Sequence, residues 1–408
     1  MKVEQALLSM LDPCNKTWQS GIELTSRDWE TMLMMVRQHR LGPLLHWRLA
    51  RNTTSLNVPQ RFLDDIAASF RKRAARSLQL QYEIVRTHRL LRECGINAVF
   101  LKGAFLAFHV YPHAALRPMR DLDVLVPRDR AMDAFDALVT AGFTRTAYSS
   151  GDPSAAVDCK KHLPVLESPS GRVAIELHTR LIEPQDHSAQ RPEPADDPAV
   201  WQRLIYREIA GERIAFLSSA DQLLHLIVHA VVDHRLGCGP LVLTDIAGLV
   251  QQTDIHWPIF WRMAAECGWI RECTLLLHVT DRFCGPLSFV SPTLIDLPQL
   301  PEGLLTTTAV LMLGDLEHHA DIGLSAFLQA QSVTERMRML LKRIFPSRQF
   351  LATIGAEARN PLLKHNPYLA HWWRLITTRA PQYFASGRGH RAACQRAELA
   401  KLNRWLAQ

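Results

Sequence analysis

Apolar residues recur at helical spacing through the first part of the chain and change to a period of two after it. Leu33, Val36, Arg37 and Arg40 lie in a run without Gly or Pro until Gly42-Pro43. From Arg61 to Glu93 a second unbroken run places Phe62, Ile66, Ser69, Phe70, Leu78, Leu80 and Ile84 at near-helical spacing. Gly95 then offers a stop. This spacing predicts an N-terminal helical region over 1–95. Ile96–Leu101 reads as a short buried strand, and Gly103–Tyr111 as a helix closed by Pro112. Asp121–Val126, DLDVLV, alternates polar and apolar as a strand requires. Arg130–Ala141 reads as a helix ending at Gly142. His162–Ser168 and Arg172–His178 form a hairpin around Pro169-Ser170-Gly171. Strand, helix, strand, helix, strand, strand predicts a small α/β sheet domain over 96–182. A Pro-, Asp- and Gln-rich stretch predicts a linker or loop over 183–200. Helical patterns then fill 201–290. A break at Pro292, Pro298 and Pro301 precedes a basic helical region over 291–408, whose last helix spans Arg391–Leu406. The fold class expected is α+β, with a small mixed sheet embedded in a mostly helical chain.

Composition narrows the function classes. The chain has 408 residues, 47% hydrophobic and 21% charged, ordinary for two or three globular domains. The first residues carry an acid and lack a secretory pattern. No apolar run reaches the ~18 residues of a membrane span. The best candidates are interrupted by His225, His229 and His278. Eight cysteines are scattered without a C-x-x-C pair, which predicts reduced thiols, a cytoplasmic location and no zinc site. The net charge of +7 is uneven: from Thr334 on there are fourteen Lys or Arg against three acids. Such a tail has two readings, an RNA contact or a solvated helical surface; no nucleic-acid motif accompanies it, which favours the surface.

The chemistry concentrates between Leu101 and His178. Strand alternation sends Leu122, Val124 and Val126 to one face of DLDVLV, and Asp121 and Asp123 to the other. Two carboxylates placed this way repel unless a cation lies between them, and Mg²⁺ prefers such hard oxygen ligands. In Arg172–His178, RVAIELH, the same alternation puts Glu176 and His178 on the face opposite Val173, Ile175 and Leu177. If the two strands are neighbours, Glu176 completes a three-carboxylate set. Such a set can hold two divalent ions roughly 3.5–4 Å apart for in-line phosphoryl displacement. Lys102-Gly103 follows the first strand, where a glycine admits a phosphate to the backbone. Lys102 and Arg117 can balance triphosphate charge.

The run LKG…YP…R-x-M-R-D-L-D-V-L-V-P followed by V-A-I-E-L-H resembles the uncharacterised nucleotidyltransferase family of the polymerase-β-like superfamily. The resemblance extends through LLHLIVHAVVDH (223–234) and LTDIAGLV (243–250) and spans about 30–375. It implies a palm-like nucleotidyltransferase fold, an NTP such as ATP as co-substrate, and Mg²⁺ or Mn²⁺. By the same resemblance Asp121, Asp123 and Glu176 are metal ligands and Gly103 is the phosphate-side glycine. The wider superfamily has Gly-Ser after the first strand; here the stretch is Lys102-Gly103-Ala104, and Lys102 stands in for the missing hydroxyl. The implied acceptor is a small molecule or a peptide, peptide natural products among them.

Other residues carry plainer alternatives. His225 and His229 are spaced i,i+4 near His234 and Asp233, without the Glu of an H-E-x-x-H motif. They read first as hydrogen-bonded helix histidines, with His229 also an active-site candidate. Asp245 reads as a capping or pairing residue. Lys160, Lys161 and His162 precede a strand and are weaker phosphate candidates. His178 is a candidate for the active site because it shares a face with Glu176. Two rival functions stand beside the main one: a toxin-like transferase modifying RNA or tRNA, and a non-catalytic scaffold that keeps the fold.

Overall fold

The computed structural model describes residues 2–11, 17–18, 23–51, 53–54, 57–146, 151–182, 198–292, 295–301, 303–314, 332–354, 366–379 and 390–407. The described N-terminal residues form helices Lys2–Ser9, Ser26–Gln38, Gly42–Leu49 and Gln60–Glu93, with two short paired strands at Thr17–Trp18 and Thr53–Thr54. Helix Ser26–Gln38 opens on a capping box: Thr25 N donates to Asp28 Oδ2 at 2.9 Å and Asp28 N donates to Thr25 Oγ1 at 3.2 Å. A 34-residue helix, Gln60–Glu93, follows Gly42–Leu49. It buries Phe62, Ile66, Leu80 and Ile84, while Leu78 faces solvent. Gly95, at φ 66°, ends it, and Ile96 N closes the last turn on Leu91 O at 2.9 Å.

The fold is α+β around one seven-stranded mixed sheet. Its strands are β1 (Val99–Phe100), β2 (Asp121–Leu125), β3 (Thr144–Arg145), β4 (Leu166–Glu167), β5 (Ala174–His178), β6 (Ile205–Ile209) and β7 (Glu212–Phe216). They are ordered β3-β4-β5-β2-β1-β7-β6. The first strand is shorter than Ile96–Leu101. The predicted 162–178 hairpin forms: β4 and β5 run antiparallel with Leu166 opposite Ile175, and an isolated bridge joins His162 to His178.

The 201–290 stretch differs from its helical expectation at its start. Before the helices comes an antiparallel hairpin of β6 and β7, Ile205 opposite Phe216. Its two-residue turn is Ala210-Gly211, with φ 49° and 81°. Both positions need left-handed backbone, which glycine adopts freely and alanine does not, so the turn lacks the usual Asn-Gly signal. The helices Ser219–Val228, Leu241–Gln252, Trp257–Glu266 and Ile270–Cys284 follow as expected. Of the predicted 183–200 linker, 183–197 lie outside the described residues, and its end belongs instead to a short helix, Pro198–Gln202. The loop expected at Asn360-Pro361 also lies outside the described residues. The last basic helix spans His390–Leu406.

Two compact units divide the chain, each assembled from separate segments. The first comprises Met1–Arg86, Phe100–Leu122 and Asp197–Leu316; the second comprises Thr87–Val99, Asp123–Asp196 and Glu317–Gln408. Leu223, Ile227, Leu243, Ile246, Phe260 and Leu276 are fully buried in the first. Val124, Val126, Leu138, Leu163, Leu166 and Ile175 are fully buried in the second. Each such side chain contributes about 1.5–3 kcal/mol by leaving water. These cores fix the strands that carry the polar residues described next.

Candidate metal centre

In β5 the alternation read from RVAIELH holds: Ile175 and Leu177 are buried, while Ala174 and Glu176 are partly open. His178, on the same face as Glu176, has no exposure at all. The end of β5 is pinned on both sides. Val126 N donates to His178 O at 3.0 Å, and Leu163 N donates to Leu177 O at 2.8 Å. Backbone pairing therefore delivers Glu176 and His178 beside the strand that carries Asp123.

Among the described residues, Asp123, Glu176 and His178 form a group whose ligand atoms all lie within 4.8 Å of one another. His178 Nε2 donates to Asp123 Oδ1 at 2.9 Å and lies 3.6 Å from Glu176 Oε2. His162 stands on the other side, its Nε2 3.8 Å from Glu176 Oε2. Burial alone would raise the Glu176 carboxyl, but the adjacent His178 and His162 hold it below the usual carboxylate range. Glu176 is thus ionised at neutral pH. Burial, offset in part by Glu176, lowers His162, so that ring stays neutral. His162 Nδ1 donates to Leu163 O at 2.8 Å, which leaves the Nε2 lone pair facing Glu176.

This donor set fits a hard divalent cation. Two carboxylates converge in a largely dry site, one held ionised, with a neutral imidazole lone pair beside them. Because a carboxylate only accepts, Nε2 of His178 carries its proton in this arrangement. It orients Asp123 rather than competing for the ion.

The remaining predicted residues have their own surroundings. Asp121 begins β2, is partly exposed and exerts its charge on Arg40 and Arg117. Lys102 sits at the strand-to-helix turn with φ 44° and ψ −108°, a conformation rare outside glycine. The helix after it runs Gly103–Phe105 and continues as a π-helical turn, Leu106–Val110. A Cβ on Gly103 would come within 2.7 Å of Met119 Cγ, so any larger residue there would have to displace the Met119 side chain.

Arg117 is held by a buried carboxylate. Its Nη2 donates to Asp245 Oδ2 at 2.9 Å and its Nε to both Asp245 oxygens at 3.2 Å. Burial would lower Arg117, but Asp245 outweighs it and carries the guanidinium above its ordinary value. Tyr111 Oη donates to Asp245 Oδ1 at 2.8 Å. Burial, then the charge of Asp245, raises that phenol well above its ordinary value. Asp245 is therefore the pairing residue its sequence context suggested, at a distance no motif could give.

His229 Nδ1 lies 3.1 Å from Asp233 Oδ2, and its ring meets those of His225 and His234 at 6.1 and 4.3 Å. The i,i+4 pair is thus part of a histidine–aspartate cluster where helix Ser219–Val228 passes into a π-helical turn.

A family model described as uncharacterised nucleotidyltransferase matches residues 25–285, well over half of the chain. The chain belongs to this nucleotidyltransferase family. The match covers DLDVLV, RVAIELH, LLHLIVHAVVDH and LTDIAGLV, and stops short of the 375 expected at its C-terminal end. No curated protein matches the chain. Membership brings with it nucleotidyl transfer as the general activity, and the Asp123–Glu176–His178 group is where this nucleotidyltransferase could bind a metal. Among the described residues no helix is long and apolar enough to cross a membrane.

Proposed function

We propose that the protein is a divalent-metal-dependent enzyme that moves a nucleoside monophosphate from an NTP to an acceptor on a small molecule or peptide. The observation that carries this reading is the convergence of Asp123, Glu176 and His178 within 4.8 Å, with Glu176 kept ionised. Asp123 and Glu176 would hold Mg²⁺ or Mn²⁺. Asp121, two residues before Asp123 on the same strand, would supply the third carboxylate. A bound divalent ion would stabilise charge on the oxygens of the reacting phosphate. His178 fixes the Asp123 carboxylate, and neutral His162 can accept a proton at Nε2 close to Glu176.

A scaffold would gain little from two carboxylates set side by side, because like charges repel. The reading is tested by incubating the full chain with each labelled NTP, Mg²⁺ or Mn²⁺ and candidate acceptors, and following labelled product and pyrophosphate. Metal-dependent release is expected. Absence of metal-dependent product or pyrophosphate with every NTP and acceptor would count against it.

Two substitutions probe neighbouring roles. Lys102→Ala is expected to weaken NTP binding by roughly 1.5–3 kcal/mol, the worth of one charge-assisted contact, without lowering Tm. Lys102→Gly should share that loss yet raise Tm, because φ 44° suits glycine. Titration with labelled NTP and melting curves read the two effects; unchanged affinity would make Lys102 a bystander. His178→Asn should reduce metal affinity about 10–100-fold, the usual effect of losing a group that orients a ligand. Mn²⁺ titration measures it, and wild-type affinity in this variant would end the orienting role.

A further inference from the structure

Three arginines in the first unit come from different elements and, among the described residues, form no ion pair with a carboxylate. Arg40 follows helix Ser26–Gln38, Arg73 lies on Gln60–Glu93, and Arg120 immediately precedes Asp121. The turn bearing Arg40 packs on the long helix one turn before Arg73: a Cβ on Gly42 would stand 2.9 Å from Ser69 Oγ. Among the described residues, no guanidinium of the three makes an ion pair or a hydrogen bond with Asp or Glu. Arg40 and Arg73 are nevertheless half-buried, and Arg120 is exposed.

This arrangement is costly in the free protein. Burial, then the charges of Arg120 and Arg73, pulls Arg40 down to about 10; Asp121 opposes that and Arg117 adds to it. Burial and Arg120 lower Arg73 in the same sense. The backbone adds a second cost. Arg40 has φ 57°, at the helix-terminating position where glycine is normally favoured, with Leu41 N bonded to Val36 O at 2.9 Å. A bulky cation is thus kept in a left-handed position, among like charges and partly out of water. An anionic ligand would relieve the electrostatic part of that cost, and planar guanidinium forks match phosphate oxygens.

We propose that Arg40, Arg73 and Arg120 form a phosphate-binding site beside Asp121. It takes either the triphosphate of the NTP or a phosphate carried by the acceptor. The proposal rests on the metal-dependent transfer reading only for what the phosphate is used for; binding itself needs no metal. Arg117, bound by Asp245, is not one of the three.

The test is calorimetric titration of the full chain in EDTA with inorganic triphosphate and, separately, with inorganic phosphate. Wild type is expected to bind triphosphate. Arg73→Gln and Arg120→Gln should each weaken it about tenfold or more, as loss of a charge-assisted contact does. Arg128→Gln, at an exposed pair with Asp158 in the second unit, should not change it. Arg120 is exposed, so its variant should fold like wild type; melting curves without ligand check this. Displacement of triphosphate by NTP assigns the site to the donor. Lost binding of inorganic phosphate with unchanged NTP affinity assigns it to the acceptor. Equal triphosphate and phosphate binding by wild type and the Arg40→Gln/Arg73→Gln/Arg120→Gln triple variant would overturn the proposal, as would no binding by wild type. Asp123→Asn should still bind triphosphate in EDTA, which separates failure of this site from failure of the metal reading.

Discussion

Asp245→Ala is expected to destabilise the protein by about 3–5 kcal/mol, the cost of stranding one partner of a buried ion pair. The Asp245 side chain is 2% exposed and Arg117 19%. Asp245 accepts three hydrogen bonds from Arg117 and one from Tyr111. Its removal leaves a guanidinium and a phenol without their partner inside the helical packing. The fall in Tm should be on the order of 10 °C for units of this size. Salt should change it little, because the pair is screened from solvent. Arg117→Met combined with Asp245→Leu should recover most of the loss, since an apolar pair removes both charges together. Thermal melts of the single and double variants measure this. A single variant with wild-type Tm would mean that the pair contributes little.

Asp123→Asn is expected to lower nucleotidyl transfer roughly 10³-fold or more, the scale seen when a charge-stabilising group is removed from a reacting centre. The asparagine Oδ1 can still accept from His178 Nε2, so shape and packing persist and stability should stay within about 1 kcal/mol of wild type. Activity and stability therefore part company at this residue, whereas the Asp245 substitution is read in stability. Steady-state rates with labelled NTP, set beside melting curves, show the separation. A variant that retains transfer would remove Asp123 from the chemistry.

These two aspartates also show how far the sequence could be read. Asp123, Glu176 and His178 were legible because a strand's period of two assigns faces directly, and DLDVLV and RVAIELH each declare that period. The backbone pairing of β5 then brings the faces together. Arg117 and Asp245 are 128 residues apart in sequence, which shows Arg117 only as a cation able to balance triphosphate charge. Nothing local in the sequence marks the partner. The same holds for Arg40, Arg73 and Arg120, which lie at a helix terminus, on a helix side and just before a strand, far apart in sequence. The β6–β7 hairpin was hidden for another reason: its Ala210-Gly211 turn carries one residue suited to left-handed backbone instead of two. Gly103 was read for phosphate approach, while the structure gives it a packing reason in Met119.

Binding of Mn²⁺, followed by loss of the free-ion electron paramagnetic resonance signal, tests the central claim most directly because it needs neither acceptor nor a chosen NTP. Wild type should bind the ion, and Asp123→Asn and Glu176→Gln should each lose most of that affinity while keeping a wild-type fold. Equal Mn²⁺ binding by wild type and both variants would contradict the metal site and the transfer mechanism built on it.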